Sequence, residues 1–244
     1  MSRTSFIVVL LALAVVGAAA EDNAVQRARY LFDHRHLEPW YEAEAWRILA
    51  DYRAIFPLDA EAIDLWCQVS EDLGDNTADR AKKEYYYRVA EAAADTLRSE
   101  FPSIAAGHFW WAAAHGKRAL ARGRAAAILT APTVIGEFKR AIALDPGFPL
   151  PYAVLGVLYL DLPLLAGGSR ARSRSYLMAG LEQAPNLTLL RLELARLDMQ
   201  ERRYTDARRQ LEMILSTERP YFEAAFVVND RPLAESLLAE IRGK

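Results

Sequence analysis

The stretch Phe138 to Pro163, FKRAIALDPGFPLPYAVLGVLYLDLP, constrains the fold more than any other part of the chain. It reads as the end of one helix, a Pro/Gly turn and the start of the next, with Tyr152-x2-Leu155-Gly156-x2-Tyr159 on the second helix. Ten residues beyond Pro146 stands Gly156, and the same step from Pro57 reaches Cys67 and from Pro185 reaches Ala195. Three small residues thus fall at one phase. From Pro102 the equivalent is Gly116, fourteen residues on, which inserts about one helical turn before the crossing point. A small residue recurring at one place after a helix-ending proline predicts a helical repeat, in which each pair of helices buries its apolar faces against its neighbours.

Taken in order, the periodicity predicts helices over Glu21 to Arg35, from Glu38-Pro39 to Phe56, Ala60 to Leu73, Thr77 to Glu100 and Ile104 to Arg122. Gly123 to Thr133, with Pro132, reads as a loop. Further helices are predicted over Val134 to Leu144, Leu150 to Leu160, Arg170 to Gln183, Asn186 to Gln200 and Tyr204 to Leu215. Arg231 to Arg242 is predicted to cap the final apolar edge. Three consecutive tyrosines, Tyr85 to Tyr87, point in three directions, so at least one lies outside the core. No stretch alternates apolar and polar residues long enough to make a sheet. The expected fold is all-α, a solenoid of about four helix pairs with a C-terminal capping helix, forming one domain over residues 21–244.

Residues 1–20 differ from the rest. Arg3 precedes an apolar run from Phe6 to Val16 that ends in Ala18-Ala19-Ala20 before Glu21, the pattern of a secretory signal cleaved near Ala20. Losing Arg3 leaves 29 basic residues against 32 acidic ones, about −3. That balance argues against a nucleic-acid partner. Cys67 is the only cysteine, so no internal disulfide forms and none stands after the signal to take a lipid. The expected product is a free periplasmic protein.

Catalytic and metal chemistry find little support in the residues. His34 and His36 lie two apart on different sides of a helix, and His108 and His115 stand about 10 Å apart along theirs, too far to share a metal directly. Glu42 with Glu44, and Asp51 with Asp59, are carboxylate pairs of the solvated kind. No phosphate loop, serine elbow or HExxH occurs, and neither a cofactor nor catalysis is expected. Cys67 shares the phase of Gly156 and Ala195, so a packed, inert thiol is expected. His115, one residue before Gly116, takes the place of Leu155 and Leu194 and is expected on the core face.

The Tyr-x2-Leu-Gly-x2-Tyr motif resembles the W-x2-L-G-x2-Y pattern of tetratricopeptide repeats. Four pieces in order resemble the T-component (TatT) family of tripartite TRAP transporters: GHFWWAAAHG (107–116), AILTAPTVIGEFKRAIALDPGF (127–148), VLGVLYLDLP (154–163) and GGSRARSRSYLMAGLEQAPN (167–186). The resemblance implies export, tetratricopeptide-like helix pairs and association with a periplasmic substrate-binding subunit. It also implies oligomers in some members and a pore or groove for a small hydrophobic or amphipathic ligand. His108 and Trp110 match the family's His-x-Trp and Gly116 its helix-crossing glycine.

Counting around the small crossing residues gives three rows: Trp110, Ala113, Lys117, Leu120; Leu150, Ala153, Val157, Leu160; and Leu189, Leu192, Arg196, Met199. In a stacked solenoid such rows line the concave wall, which is either filled by another part of the chain or a binding groove. The candidate ligand residues are His108, Trp110, Ala113, Lys117, Ala153, Val157, Leu192 and Arg196, with a ligand carboxylate meeting Lys117 or Arg196. Two functions remain open. One is a ligand-binding accessory subunit of a periplasmic uptake system; the other is a scaffold whose groove receives another envelope protein.

Overall fold

The computed structural model describes residues 23–244, so the expected signal segment lies outside the described residues. The chain alternates helix and turn: α1 (23–33), α2 (Tyr41–Ile55), α3 (Ala60–Asn76), α4 (Arg80–Glu100), α5 (Ala105–Arg122), α6 (Arg124–Leu144), α7 (Leu150–Asp161), α8 (Arg170–Gln183), α9 (Thr188–Gln200), α10 (Tyr204–Leu215), a single turn α11 (Glu223–Ala225) and α12 (Arg231–Glu240). No strand occurs among the described residues. Each long helix from α2 to α10 packs on the next, and α3/α4, α5/α6, α7/α8 and α9/α10 are the four repeating pairs.

Four prolines set this rhythm. Phe56, Phe101, Asp145 and Ala184 each stand immediately before one of them and end α2, α4, α6 and α8 with ψ between 63° and 94°, outside the helical region. A residue before proline is pushed out of the helical region by the ring Cδ, so each of these helices stops where the sequence dictates. Three helices start on side-chain caps: Asp59 accepts from the Ala62 amide at the head of α3, Asp79 from Ala81 and Lys82 at α4, and Ser169 from Arg172 at α8. The motif tyrosine Tyr152 closes the Pro146 turn, its hydroxyl donating to the Pro146 carbonyl at 3.0 Å.

The small residues sit at the crossings. Cys67 is buried in α3 with its thiol directed at the Ala90 carbonyl of α4, 3.6 Å away. A Cβ on Gly156 would fall 2.4 Å from Leu177 of α8. Ala195 packs with Ala207, Leu211 and Ile214 of α10, and Ala234 and Ile241 at the C-terminal end complete that cluster. The capping helix is therefore present, and it covers α10. Of the three tyrosines, Tyr87 is buried, Tyr86 partly so and Tyr85 exposed.

Two expectations need correction. The expected loop Gly123 to Thr133 is helical from Arg124 onward, with Pro132 inside α6. Pro132 faces solvent, while Ala131 and Val134 beside it are buried; a ring on the outer face leaves inward packing intact, so the helix continues past it. His115 is not a core residue. It is half-buried, with Nδ1 2.8 Å from Glu91 of α4 and its ring stacked on Trp111 at 4.6 Å.

Candidate functional site

A groove of about 770 Å³ runs along the concave side. α3 supplies Gln68, Glu71, Asp72 and Asp75; α5 supplies Phe109, Trp110, Ala113, Gly116, Lys117 and Leu120. The inner face of α6, from Arg124 through Ile128 to Phe138, forms a second wall, and Leu150, Val154, Leu158 and Asp161 of α7 a third. Phe32 and Arg35 close one side, and Leu189, Phe222 and Ala225 the other.

Of the residues the sequence pointed to, Trp110, Ala113 and Lys117 stand on this wall. His108, Ala153, Val157, Leu192 and Arg196 do not. His108 faces away and pairs through Nδ1 with Glu137 of α6 at 2.7 Å. Ala153 is fully buried in the α7–α9 cluster, and Leu192 in the C-terminal one. Arg196 is half-exposed and paired with Glu193. The phase error is physical: α7 turns Ala153 and Gly156 toward Leu177 of α8, which rotates Val154 and Leu158 into the groove. In α5 the corresponding Ala113 and Gly116 face the groove instead.

The polar end of the groove is a built ion cluster. Lys117 Nζ lies 2.8 Å from Glu71 Oε2 and 2.7 Å from Asp75 Oδ2. Burial pulls the Lys117 pKa down, but the two carboxylates outweigh it and the net shift is upward. Arg35 pairs with Asp72, and the Tyr87 hydroxyl donates to Asp75 at 2.6 Å. Glu71 is 5% exposed, and burial raises its pKa against the opposing pull of Lys117. Its second oxygen, Oε1, has no hydrogen-bond partner among the described residues. Behind Asp72, Glu42 is pushed up to about 8, first by burial and then by the Asp72 charge.

The Trp110 indole is fixed by donation to Asp64 at 2.6 Å. With Gln68, Leu150 and Phe222 it lines both the groove and a smaller cavity of about 400 Å³ that also contacts Asp64, Asp145, Phe148 and Tyr221. Tyr221 and Phe222 arrive there on a segment that folds back after α10. The Tyr221 amide donates to the Asn186 carbonyl at 3.0 Å, and the Asn186 side chain donates to the Arg219 carbonyl at 3.1 Å.

The rim is apolar. Leu120 lines the groove and is exposed at its edge, and Leu164 and Leu165 follow the lining residues Leu162 and Pro163 with their side chains in solvent; Leu129, also exposed, is on the opposite face of α6 from Ala127, Ile128 and Ala131. The Gly-Gly pair permits this turn. Gly167 has φ 93°, and a Cβ on Gly168 would overlap the Leu162 carbonyl oxygen at 1.8 Å.

Among the described residues, no group of three or more His, Cys, Asp or Glu could hold a metal ion, and no helix is long and apolar enough to cross a membrane. No family model and no curated protein matches the sequence. Solved structures do. The chain is similar to TTC0263, a thermophilic TPR protein of Thermus thermophilus, with 18% identity, a TM-score of 0.69, and coverage of 90% of this chain and 99% of that one. It is also similar to a chain of the APC/C hetero-tetramer Cut9-Hcn1, at 16% identity and TM-score 0.52, over 90% of this chain and 42% of that one. At these identities the likeness concerns the fold: an all-α, tetratricopeptide-like solenoid of helix pairs.

Proposed function

We propose that this chain is a non-catalytic scaffold whose concave groove receives an apolar segment of a partner protein. The observation that carries the reading is the continuity of the groove's apolar wall with its rim. A small molecule enclosed by the groove would leave much of Leu120, and Leu164 beside the lining residue Pro163, in water, whereas a protein partner covers lining and rim together. The ionisable groups at the groove end are held in ion pairs with one another, an arrangement suited to shaping a wall. The tetratricopeptide-like fold supports the same reading, since stacked helix pairs create extended concave binding surfaces.

A leucine-faced helical peptide titrated calorimetrically into the wild type and into Val154→Trp tests this. Tryptophan at position 154 fills the groove and should weaken binding by about tenfold or more at unchanged melting temperature. Equal affinity for both proteins would remove the groove from the binding surface.

A second reading is favoured by volume. The groove lies within the roughly 300–1,000 Å³ range of small-molecule sites. In that reading the chain is a periplasmic accessory subunit of the T-component type, exported with cleavage near Ala20, that holds a small amphipathic ligand beside a substrate-binding subunit. The mass of the mature protein tests the export step: a mass retaining residues 1–20 would rule out cleavage there.

A further inference from the structure

The smaller cavity beside the groove differs from it in charge and in lining. Two carboxylates, Asp64 and Asp145, stand on its wall, and no lysine or arginine does. Four aromatic side chains, Trp110, Phe148, Tyr221 and Phe222, line it as well. Among the described residues no lysine or arginine lies over any of these four rings, although seven such pairs occur elsewhere in the chain. Asp64 is held by one oxygen only. Its Oδ1 accepts from the Trp110 indole at 2.6 Å, whereas Oδ2 has no donor among the described residues and, unlike Glu71 Oε1, is open to solvent. Burial is the largest influence on this carboxyl and raises its pKa. The Trp110 bond opposes that, and so does Arg29, but from beyond ion-pair range, its guanidinium donating to Gln68 at 3.4 Å. Asp145 accepts through Oδ1 from the Gly147 amide at 2.9 Å. The first turns of α5 and α7 also reach the wall, at Ala105 and Leu150. Each helix start brings about half a positive charge against two full negative ones, so the balance stays negative.

We propose that this cavity is a second binding site, separate from the groove, for an organic ammonium: one cationic head on a short apolar body. The head donates to Asp64 Oδ2 and lies among the aromatic side chains, whose ring faces attract a cation. Carboxylates and rings are different chemistry, and both select the same sign of charge. The apolar body packs on Ile104, Leu150 and Phe222. A cavity of about 400 Å³ lies within the roughly 300–1,000 Å³ range of small-molecule sites and accommodates an arylalkylamine. A ligand carboxylate would instead meet Asp64 and Asp145 with no lysine or arginine on the wall to receive it. A purely apolar ligand would strip water from the Asp64 carboxylate and supply no donor in exchange. The site stands whether the neighbouring groove takes a protein segment or a small ligand.

The test uses the full chain and ligand-observed NMR titration with phenethylamine, its neutral analogue phenethyl alcohol and the acid phenylacetate. The wild type should bind the amine about tenfold or more tightly than the alcohol, with the acid weakest. Asp64→Asn keeps the side-chain shape and an oxygen for Trp110, and should bring the amine preference down to about twofold or less. Phe148→Leu removes a ring that lines this cavity and not the groove, and should weaken the amine by about threefold or more while changing the alcohol less. Lysine blocked at both ends separates the sources of the cation. Binding tighter than that of phenethylamine assigns the ammonium to a partner's lysine side chain, weaker binding assigns it to a free amine, and either supports the site. Equal affinity of the wild type for amine and alcohol would overturn the inference, as would tighter binding of the acid or no binding of the amine. Amine binding unchanged in both variants would put the amine elsewhere on the chain and overturn it too. Should Asp64→Asn fail to fold, the wild-type comparison and Phe148→Leu still decide.

Discussion

The repeat phase makes opposite predictions for two glycines at equivalent places, Gly156 in α7 and Gly116 in α5. A Cβ on Gly156 would stand 2.4 Å from Leu177 Cδ2 and 2.5 Å from its Cγ, and Leu177 is fully buried. Leu177 would have to retreat by about 1 Å into a filled crossing, which costs roughly 1–3 kcal/mol as overpacking. The gain from replacing a helical glycine by alanine offsets about 1 kcal/mol of that. Gly156→Ala should therefore destabilise the fold by about 1 kcal/mol. At Gly116 the nearest atoms are the two Val134 methyls at 3.6 Å, an ordinary contact, so Gly116→Ala keeps the propensity gain and should stabilise by about 0.5–1 kcal/mol. Urea denaturation followed by circular dichroism reads both, as a lower midpoint for Gly156→Ala and a higher one for Gly116→Ala at unchanged slope. If both midpoints rose equally, Leu177 would not fill the α7/α8 crossing, and the close approach argued for Gly156 would be wrong.

Glu42 should make the fold less stable as pH rises. Its folded pKa of about 8 lies above the ordinary 4.5, so the unfolded chain ionises first and stability declines between those two values. A protonated Glu42 can donate to Asp72, whose charge otherwise opposes it. Glu42→Gln should flatten this slope in melts run from about pH 5 to about pH 9, and an unchanged slope would count against it. Cys67 should resist thiol reagents in the native protein, because it is buried and burial holds its pKa well above the usual thiol value; labelling as fast as in urea would refute this. Arg202, at φ 58° in the turn between α9 and α10, adopts a left-handed conformation that glycine takes without strain. Arg202→Gly should raise the melting midpoint by an amount equivalent to about 0.5–1 kcal/mol, and a fall would show that the arginine side chain matters more than its backbone.

How much of this was visible in the sequence follows from the range of the interactions involved. Pro57, Pro102, Pro146 and Pro185 act on the residue immediately before them, so the helix ends and the repeat phase could be read locally. Pro132 is chemically the same signal but stands on a solvent face, and only the burial of Ala131 and Val134 shows why α6 persists through it. Trp110 and Lys117 were legible as members of a stripe. The partners of Lys117 were not, because Glu71 and Asp75 lie 46 and 42 residues earlier on α3. Val154 and Leu158 were missed in favour of Ala153 and Val157 because a rotation of α7 by one residue is set by Leu177, which a repeat count does not contain. Phe222 carried no motif at all, and only the return of the chain after α10 brings it to the groove.

Amide hydrogen exchange with and without the leucine-faced helical peptide tests the central claim most directly, because it maps where a partner sits. Pro132 lacks the N–H that would bond the Ile128 carbonyl, so the N-terminal half of α6 should exchange faster than its C-terminal half in the free protein. On peptide binding, protection should appear in that half of α6, along the groove face of α7 and in the Leu164–Ala166 turn, with the α5/α6 contact around His108 and Glu137, which lies outside the groove lining, unchanged. Protection confined to residues outside the groove lining, with α6 and the Leu164–Ala166 turn unaltered, would contradict the groove as the docking site.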